Sequence, residues 1–158
     1  MMNTNDDSQR LKNRALKLLE YRAMSHGEMI AKLVEKGEDR DASEQVAHWL
    51  VEIGFLDDER YAAQLVEHYA IAKGYGKRCV EQELWRRKID KELWEEALAT
   101  IPEENGQEAI SKFIEQKLRG TLPEPKEEKR VTDALMRRGY NWDEIRSAMR
   151  EYKESIET

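Results

Sequence analysis

The pentapeptide LVEKG at residues 33–37 returns along the chain as LWRRK at 84–88 and as LMRRG at 135–139, each copy 51 residues after the one before. Every copy begins with a leucine. The first and third copies end with a glycine, which is typical of the last turn of a helix with a left-handed cap, and the middle copy ends with a lysine. A fixed period of this size is the signature of a repeat protein. We therefore expect three similar units.

Amphipathic helices are predicted on both sides of each pentapeptide, because apolar residues recur there at helical spacing. The downstream helices are marked by Val46, Trp49, Leu50 and Ile53, by Trp94, Ala97, Leu98 and Ile101, and by Ile145, Ala148, Met149 and Tyr152. The upstream helices are marked by Leu11, Ala15, Leu18 and Leu19, by Tyr61, Ala62, Leu65, Val66 and Tyr69, and by Ala109, Ile110, Phe113, Ile114 and Leu118.

These patterns predict an all-α fold of nine helices in three tandem three-helix repeats. The repeats are expected at residues 10–54, 55–102 and 103–158, after a flexible leader at residues 1–9. One such unit is too small to bury its helices well by itself. Neighbouring repeats are therefore expected to stack into an elongated, curved array.

Charge is abundant and segregated by sign. The 158 residues carry a net charge of −6, which argues against a protein whose main task is to coat nucleic acid. Residues 38–59 have a net charge of −7, whereas residues 73–88 have a net charge of +4. Such segregation suits a partner whose own surface is charged in patches.

The chain has the composition of a cytoplasmic protein. Its single cysteine, Cys79, excludes an internal disulfide. No apolar run approaches the roughly 18 residues that a membrane span needs, and the polar segment 1–10 lacks the apolar region of a signal peptide. We therefore predict a cytoplasmic protein without a membrane segment.

Two basic clusters are the candidate partner-binding residues. Cations near the end of a helix often only compensate the helix dipole. That alternative fits residues 86–88 but not residues 73–78, which also open the next helix. The first cluster is Lys73, Lys77, Arg78, Arg86, Arg87 and Lys88, and the second is Lys129, Arg130, Arg137 and Arg138.

Two aromatic residues within the first cluster have alternative interpretations. Trp85 lies beside the apolar stripe of its helix, so it either anchors an interface or packs against Tyr75 or a neighbouring repeat. Tyr75, between Gly74 and Gly76, either stacks on a partner or fills the gap between helices. Lys88 replaces the glycine of the other two pentapeptides, which predicts either a positive φ at this residue or a different end to its helix.

Catalysis is not expected, because no set of residues with catalytic spacing is found. His26, His48 and His68 lack the spacing of metal ligands. Neighbouring carboxylates such as Asp57 and Asp58 point in different directions on a helix, and no glycine-rich phosphate loop is present. We predict no catalytic residue, no metal and no cofactor.

Two segments resemble the RecX family of regulatory proteins. The first is GFLDDERYA at residues 54–62, and the second is KGYG at 73–76 running into ELWRRKI at 83–89. The segment RRGY at 137–140, followed by Ile145, is similar to the last helix pair of the family. The resemblance extends over residues 10–153.

This resemblance implies a non-enzymatic monomer that binds the RecA recombinase and the filament that RecA forms on single-stranded DNA. It implies modulation, usually inhibition, of the filament's ATP hydrolysis, strand exchange and promotion of LexA self-cleavage, with weak DNA contact inside the filament. It leaves open stimulation, and it leaves open whether the filament is capped at its end, bound in its groove or disassembled. The alternative is a direct DNA-binding protein, because three-helix units also resemble helix-turn-helix modules.

Overall fold

The computed structural model describes residues 4–157, and this part of the chain is helical and contains no β-strand. A π-helical segment, Glu67–Ala72, continues α4, and a 3₁₀ turn, Lys91–Leu93, leads into α6. The all-α prediction with nine helices is confirmed for the described residues. They are α1 (Thr4–Tyr21), α2 (His26–Glu35), α3 (Arg40–Glu52), α4 (Asp58–Val66), α5 (Lys77–Arg86), α6 (Trp94–Leu98), α7 (Asn105–Leu118), α8 (Pro125–Arg137) and α9 (Trp142–Glu157).

The chain divides into two compact units, and the first unit comprises residues up to 63 together with 84–95. Its apolar core is formed by α1, α2 and α3 with the loop after α3: Leu11, Ala15, Met24, Met29, Leu33, Val46, Ala47, Leu50 and Leu56. Helix α1 already begins at Thr4, so residues 4–9, expected in a flexible leader, are helical; residues 1–3 lie outside the described part. Ile53, expected on the apolar stripe of α3, is instead 44 % exposed because it caps the end of that helix.

The second unit comprises residues 64–83 and 96–158. Helices α7, α8 and α9 enclose its main core, which contains Ile110, Phe113, Ile114, Leu118, Val131, Leu135, Tyr140, Ile145, Ala148, Met149 and Tyr152. Helix α5 begins in this unit and ends in the first, because residues 77–83 belong to the second unit and residues 84–86 to the first. The repeat that contains α5 is therefore divided between the two units.

All three pentapeptides end their helices with the same hydrogen bond, which is the mark of a left-handed cap. The residue after the cap donates its N–H to the carbonyl of the first leucine, at 3.0 Å for Glu38 to Leu33, 3.1 Å for Ile89 to Leu84 and 3.3 Å for Tyr140 to Leu135. The φ angles are 94° at Gly37, 57° at Lys88 and 99° at Gly139. Of the two outcomes predicted for Lys88, the positive φ is therefore the one that occurs.

In each unit, the left-handed cap of one repeat lies on the N-terminus of the middle helix of the repeat before it. We call this contact the repeat joint. In the first unit, the Ser25 hydroxyl donates to the carbonyl of Arg87. In the second, the N–H of Gly76 donates to the carbonyl of Arg138 over 2.7 Å. Since residues 87 and 138 are 51 positions apart, the same atom of successive repeats accepts the bond.

Candidate partner-binding surface

The four candidate residues at the end of α5 belong to the first unit, and their side chains have different roles. Trp85 is 71 % exposed, which agrees with an interface anchor rather than with packing inside the protein. Arg86 and Lys88 are exposed, whereas Arg87 is half-buried and donates to the Tyr61 hydroxyl over 3.0 Å. Arg87 therefore stabilises the first repeat joint through its hydrogen bond to Tyr61.

The second unit gathers three other candidates around two aromatic rings, and we call this group the aromatic–basic cluster: Lys73, Tyr75, Arg138, Tyr69 and Phe113. Tyr75 is half-buried and stacks on Tyr69, with ring centroids 5.9 Å apart. The ammonium of Lys73 lies 5.9 and 5.8 Å from these two centroids. The guanidinium of Arg138 lies 4.6 Å from the Phe113 centroid and 5.8 Å from that of Tyr75. Tyr75 thus packs within the protein and is also contacted by two cations.

The remaining candidates of the second unit follow α5 and α8. Arg78 is exposed, and its guanidinium donates to the carbonyl of Met136 at the end of α8, which brings it near Arg137. Arg130 and Arg137 are both exposed and lie seven residues apart on α8, so they share one face of that helix. Two lysines are paired along their own helices, Lys77 with Glu81 at 3.7 Å and Lys129 with Asp133 at 3.0 Å.

The period of 51 residues separates exposed arginines from internal ones. Arg86 and Arg137 occupy one position of the pentapeptide and are both exposed. Arg87 and Arg138 occupy the next position and are both half-buried. A partner can reach the first pair, while the second pair is partly covered by residues of its own unit.

Sequence reasoning missed Tyr69 and Phe113 as neighbours of the candidate residues. A signal was available for part of the cluster, because Lys73 lies four residues after Tyr69 and Lys117 four after Phe113. Residues at this spacing face each other on a helix, and Lys117 does lie 5.5 Å from the Phe113 centroid. The contact of Arg138 with Phe113 is long-range and has no such signal.

Two buried tyrosines hold the surroundings of the candidate residues in place. Burial raises the pKa of Tyr61, so its hydroxyl stays neutral and can accept the hydrogen bond of Arg87. Burial also raises the pKa of Tyr140 to about 12, and this hydroxyl donates to the carbonyl of Gly74. Each phenol therefore remains a hydrogen-bonding group throughout the physiological pH range.

The described residues contain no cluster of three or more His, Cys, Asp or Glu side chains that could hold a metal ion. Within the same range, 4–157, none of the helices is both long and apolar enough to span a membrane.

Three consecutive sequence models of one family match the chain. "RecX, first three-helix domain" matches residues 12–50, the second three-helix domain matches 57–98, and the third matches 103–149. Together these matches extend over most of the chain. The chain belongs to the RecX family.

Relatives of the RecX family are similar over most of their length. "Regulatory protein RecX" of Mycolicibacterium smegmatis is 35 % identical over 137 residues, which are 82 % of this chain and 72 % of the relative. The protein of the same name from Vibrio vulnificus is 30 % identical over 138 residues, 87 % of this chain and 90 % of the relative. The crystal structure of RecX from Lactobacillus salivarius has a TM-score of 0.81 at 20 % identity, over 94 % of this chain and 98 % of that one, which is a likeness of fold.

The RecX family is a family of regulatory proteins, and the pentapeptides can be located within its domains. Each of the three matched RecX domains contains one pentapeptide. Arg86 and Arg137 are therefore exposed at the same position of the second and third RecX domains.

Proposed function

We propose that this chain is a non-catalytic regulator that binds the RecA recombinase and its filament on single-stranded DNA. In this proposal it inhibits the filament's ATP hydrolysis, strand exchange and promotion of LexA self-cleavage. The resemblance of the GFLDDERYA and KGYG segments supports this reading, and so does the name "Regulatory protein RecX" of the relatives.

The observation that carries the proposal is the exposure of Arg86 and Arg137, 51 residues apart, with the exposed Trp85 beside the first of them. A polymer presents the same surface on each of its subunits. Successive repeats that carry the same basic residue could therefore bind successive subunits. Contacts that are weak one by one would then add to a strong interaction.

Inhibition follows from occupancy of the filament rather than from chemistry. A chain that contacts several RecA subunits at once restrains the motions that accompany ATP hydrolysis. Where it lies in the filament groove, it also excludes the second DNA duplex and LexA. Both effects need binding only, which agrees with the lack of any catalytic arrangement in the sequence.

The test reverses the two equivalent charges in one variant, Arg86→Glu with Arg137→Glu. Arg87 and Arg138 are left intact because they make contacts inside the protein. The matched control, Lys17→Glu with Lys126→Glu, changes net charge by the same amount at two exposed positions outside the candidate set. Circular dichroism checks that both variants remain helical.

Co-sedimentation with RecA filaments and the RecA ATPase rate are then measured at one ionic strength. We expect the first variant to lose at least about tenfold in filament affinity and the control less than about twofold. If the unmodified chain leaves both readouts unchanged, the proposed function is wrong. If the chain binds single-stranded DNA without RecA in a mobility-shift assay, with the same affinity that it has for the filament, the DNA-binding alternative is favoured instead.

A further inference from the structure

A cavity of about 300 Å³ lies in the second unit beside the aromatic–basic cluster. One wall is the end of the π-helical segment with Lys73 and Gly74, and the other is formed by residues of α7 from Asn105 to Gln116. The two walls approach closely, because a Cβ added at Gly74 would lie 3.5 Å from the Cβ of Ala109. Phe113 and Arg138 also line the cavity.

Three cations line this cavity, and they are Lys73, Lys112 and Arg138. Within the described part of the chain, none of the three forms an ion pair with an acidic side chain. Some other cations of the described residues are paired, among them Arg10, Arg14, Arg22, Arg40, Lys77, Lys129 and Lys153. In a chain with a net charge of −6, three unpaired cations at one cavity leave an attraction for negative charge unsatisfied.

We infer that this cavity binds an acidic peptide segment of a protein partner. The inference rests on the proposed function in one respect, since it assumes that the partner is a protein. The carboxylates of such a segment would lie between Lys73 and Lys112, with Arg138 at the side. The cavity has room for one or two side chains, so a short segment is sufficient.

Peptide fits this cavity better than nucleic acid for two reasons. Glu108 lines it as well, and its carboxylate can accept a hydrogen bond from a peptide N–H. The side-chain amide of Gln116 offers the same donors and acceptors as peptide groups. Single-stranded nucleic acid binds by stacking bases on open aromatic faces, whereas Tyr75 and Phe113 are covered here by Lys73 and Arg138.

The test uses the whole chain and a fluorescein-labelled hexaglutamate peptide, with hexaglutamine as the uncharged comparison. The cavity variant is Lys73→Gln with Lys112→Gln. The matched control is Lys126→Gln with Arg146→Gln, which removes two positive charges from exposed positions of the same unit. Fluorescence anisotropy at one ionic strength gives each affinity.

We expect the cavity variant to bind hexaglutamate at least about fivefold more weakly and the control less than about twofold more weakly. Equal weakening of both variants, or equal binding of hexaglutamine, would overturn the inference. It would also be overturned if single-stranded oligothymidine, and not the peptide, lost affinity in the cavity variant.

Filament binding by the same proteins separates this inference from the proposed function. If the chain binds hexaglutamate through the cavity but does not bind RecA filaments, the proposed function fails and the cavity assignment stands. If the chain binds filaments while the cavity variant and its control bind hexaglutamate alike, the cavity assignment fails and the proposed function stands.

Discussion

At the scale of single residues, two glycines with the same backbone conformation are expected to differ in what they tolerate. Gly37 and Gly139 have φ of 94° and 99°. A Cβ on Gly37 would meet nothing within 4 Å, but a Cβ on Gly139 would lie 2.6 Å from the backbone nitrogen of Cys79 in the repeat joint. Gly37→Ala should cost about 1–2 kcal/mol for the left-handed backbone alone. Gly139→Ala should cost about 1–3 kcal/mol more, because the joint must shift. Urea unfolding measures both, and equal losses would contradict the close packing of the joint.

Lys88 gives the opposite prediction, because here a side chain already occupies the left-handed position. Lys88→Gly should raise the free energy of unfolding by about 0.5–1 kcal/mol, since glycine adopts this φ without steric strain. Arg119, with φ of 51°, is the matched site, and Arg119→Gly should change stability in the same direction. A loss of stability for Lys88→Gly alone, in thermal or urea unfolding, would show that the lysine makes a contact worth more than the strain.

At this scale the sequence predicted how helices are capped but did not predict which side chains are exposed. The pentapeptide identified the left-handed caps at Gly37 and Gly139, because capping is decided by local backbone geometry, and it left two outcomes open at Lys88. It could not separate Arg86 from Arg87, because exposure depends on what packs against the helix from far along the chain. Arg87 meets Tyr61, 26 residues away.

At the scale of helices, α1 is tied to the turn after α2 by one carboxylate. Glu38 accepts hydrogen bonds from Arg10 at 2.7 and 2.8 Å and from Arg14 at 2.8 Å, and its side chain is only 9 % exposed. The hydrogen bond from Arg10 is the main reason that the pKa of Glu38 falls from 4.5 to about 2.

Because the folded-state pKa is lowered, Glu38 stabilises the protein fully above pH 4.5, and this contribution is lost as the pH falls towards 2. Glu38→Gln should therefore destabilise at pH 7 and make a smaller difference at pH 3. The measurement is urea unfolding of both proteins at the two pH values. Glu35→Gln, at an exposed residue three positions earlier, is the control. A difference between Glu38→Gln and the unmodified protein that does not change with pH would contradict the role of the charge.

Ser25 joins two helices, because its buried hydroxyl caps α2 and also donates to the carbonyl of Arg87. Ser25→Ala removes both interactions and leaves the Arg87 carbonyl unpaired, so it should cost about 2–3 kcal/mol. Asp39 caps α3 at an exposed position without such a joint, and Asp39→Ala should cost only about 1 kcal/mol. Chemical unfolding of both variants compares these losses. Equal values would mean that the hydroxyl contributes to the cap alone.

Helix periodicity predicted which segments are helical better than it predicted how each one ends. Ser25 and Glu28 have the spacing of a capping box, and the structure contains that box. The π-helical segment Glu67–Ala72 was not, because apolar spacing hardly changes when one turn widens. That segment forms one wall of the cavity beside the aromatic–basic cluster, so the cavity could not be predicted from the apolar pattern.

At the scale of the whole molecule, the sequence shows three repeats with a period of 51 residues, and the structure shows two compact units. Both descriptions hold, because a repeat is a unit of sequence and a compact unit is a group of residues that pack together. Leu84 and Ile89 lie within the second repeat of the sequence but belong to the first unit. The period reveals similarity between segments. It does not reveal which residues pack together, since packing depends on contacts between distant parts of the chain.

Where the chain can be divided should therefore follow from the compact units and not from the repeats. A fragment of residues 1–54 corresponds to the first repeat, but it lacks Leu56 of the first core and the Asp58 carboxylate that accepts from His26 N–H at 2.9 Å. A fragment of residues 1–63 restores both, and only a fragment of residues 1–98 also restores the Arg87 carbonyl and the buried Leu84. The midpoint of urea unfolding, followed by circular dichroism, should rise in that order, since each step buries apolar surface and satisfies polar groups. A fragment of residues 1–54 as stable as the longest one would mean that residues 84–95 add nothing to the first unit. The repeat joint would then contribute nothing to the stability of the first unit.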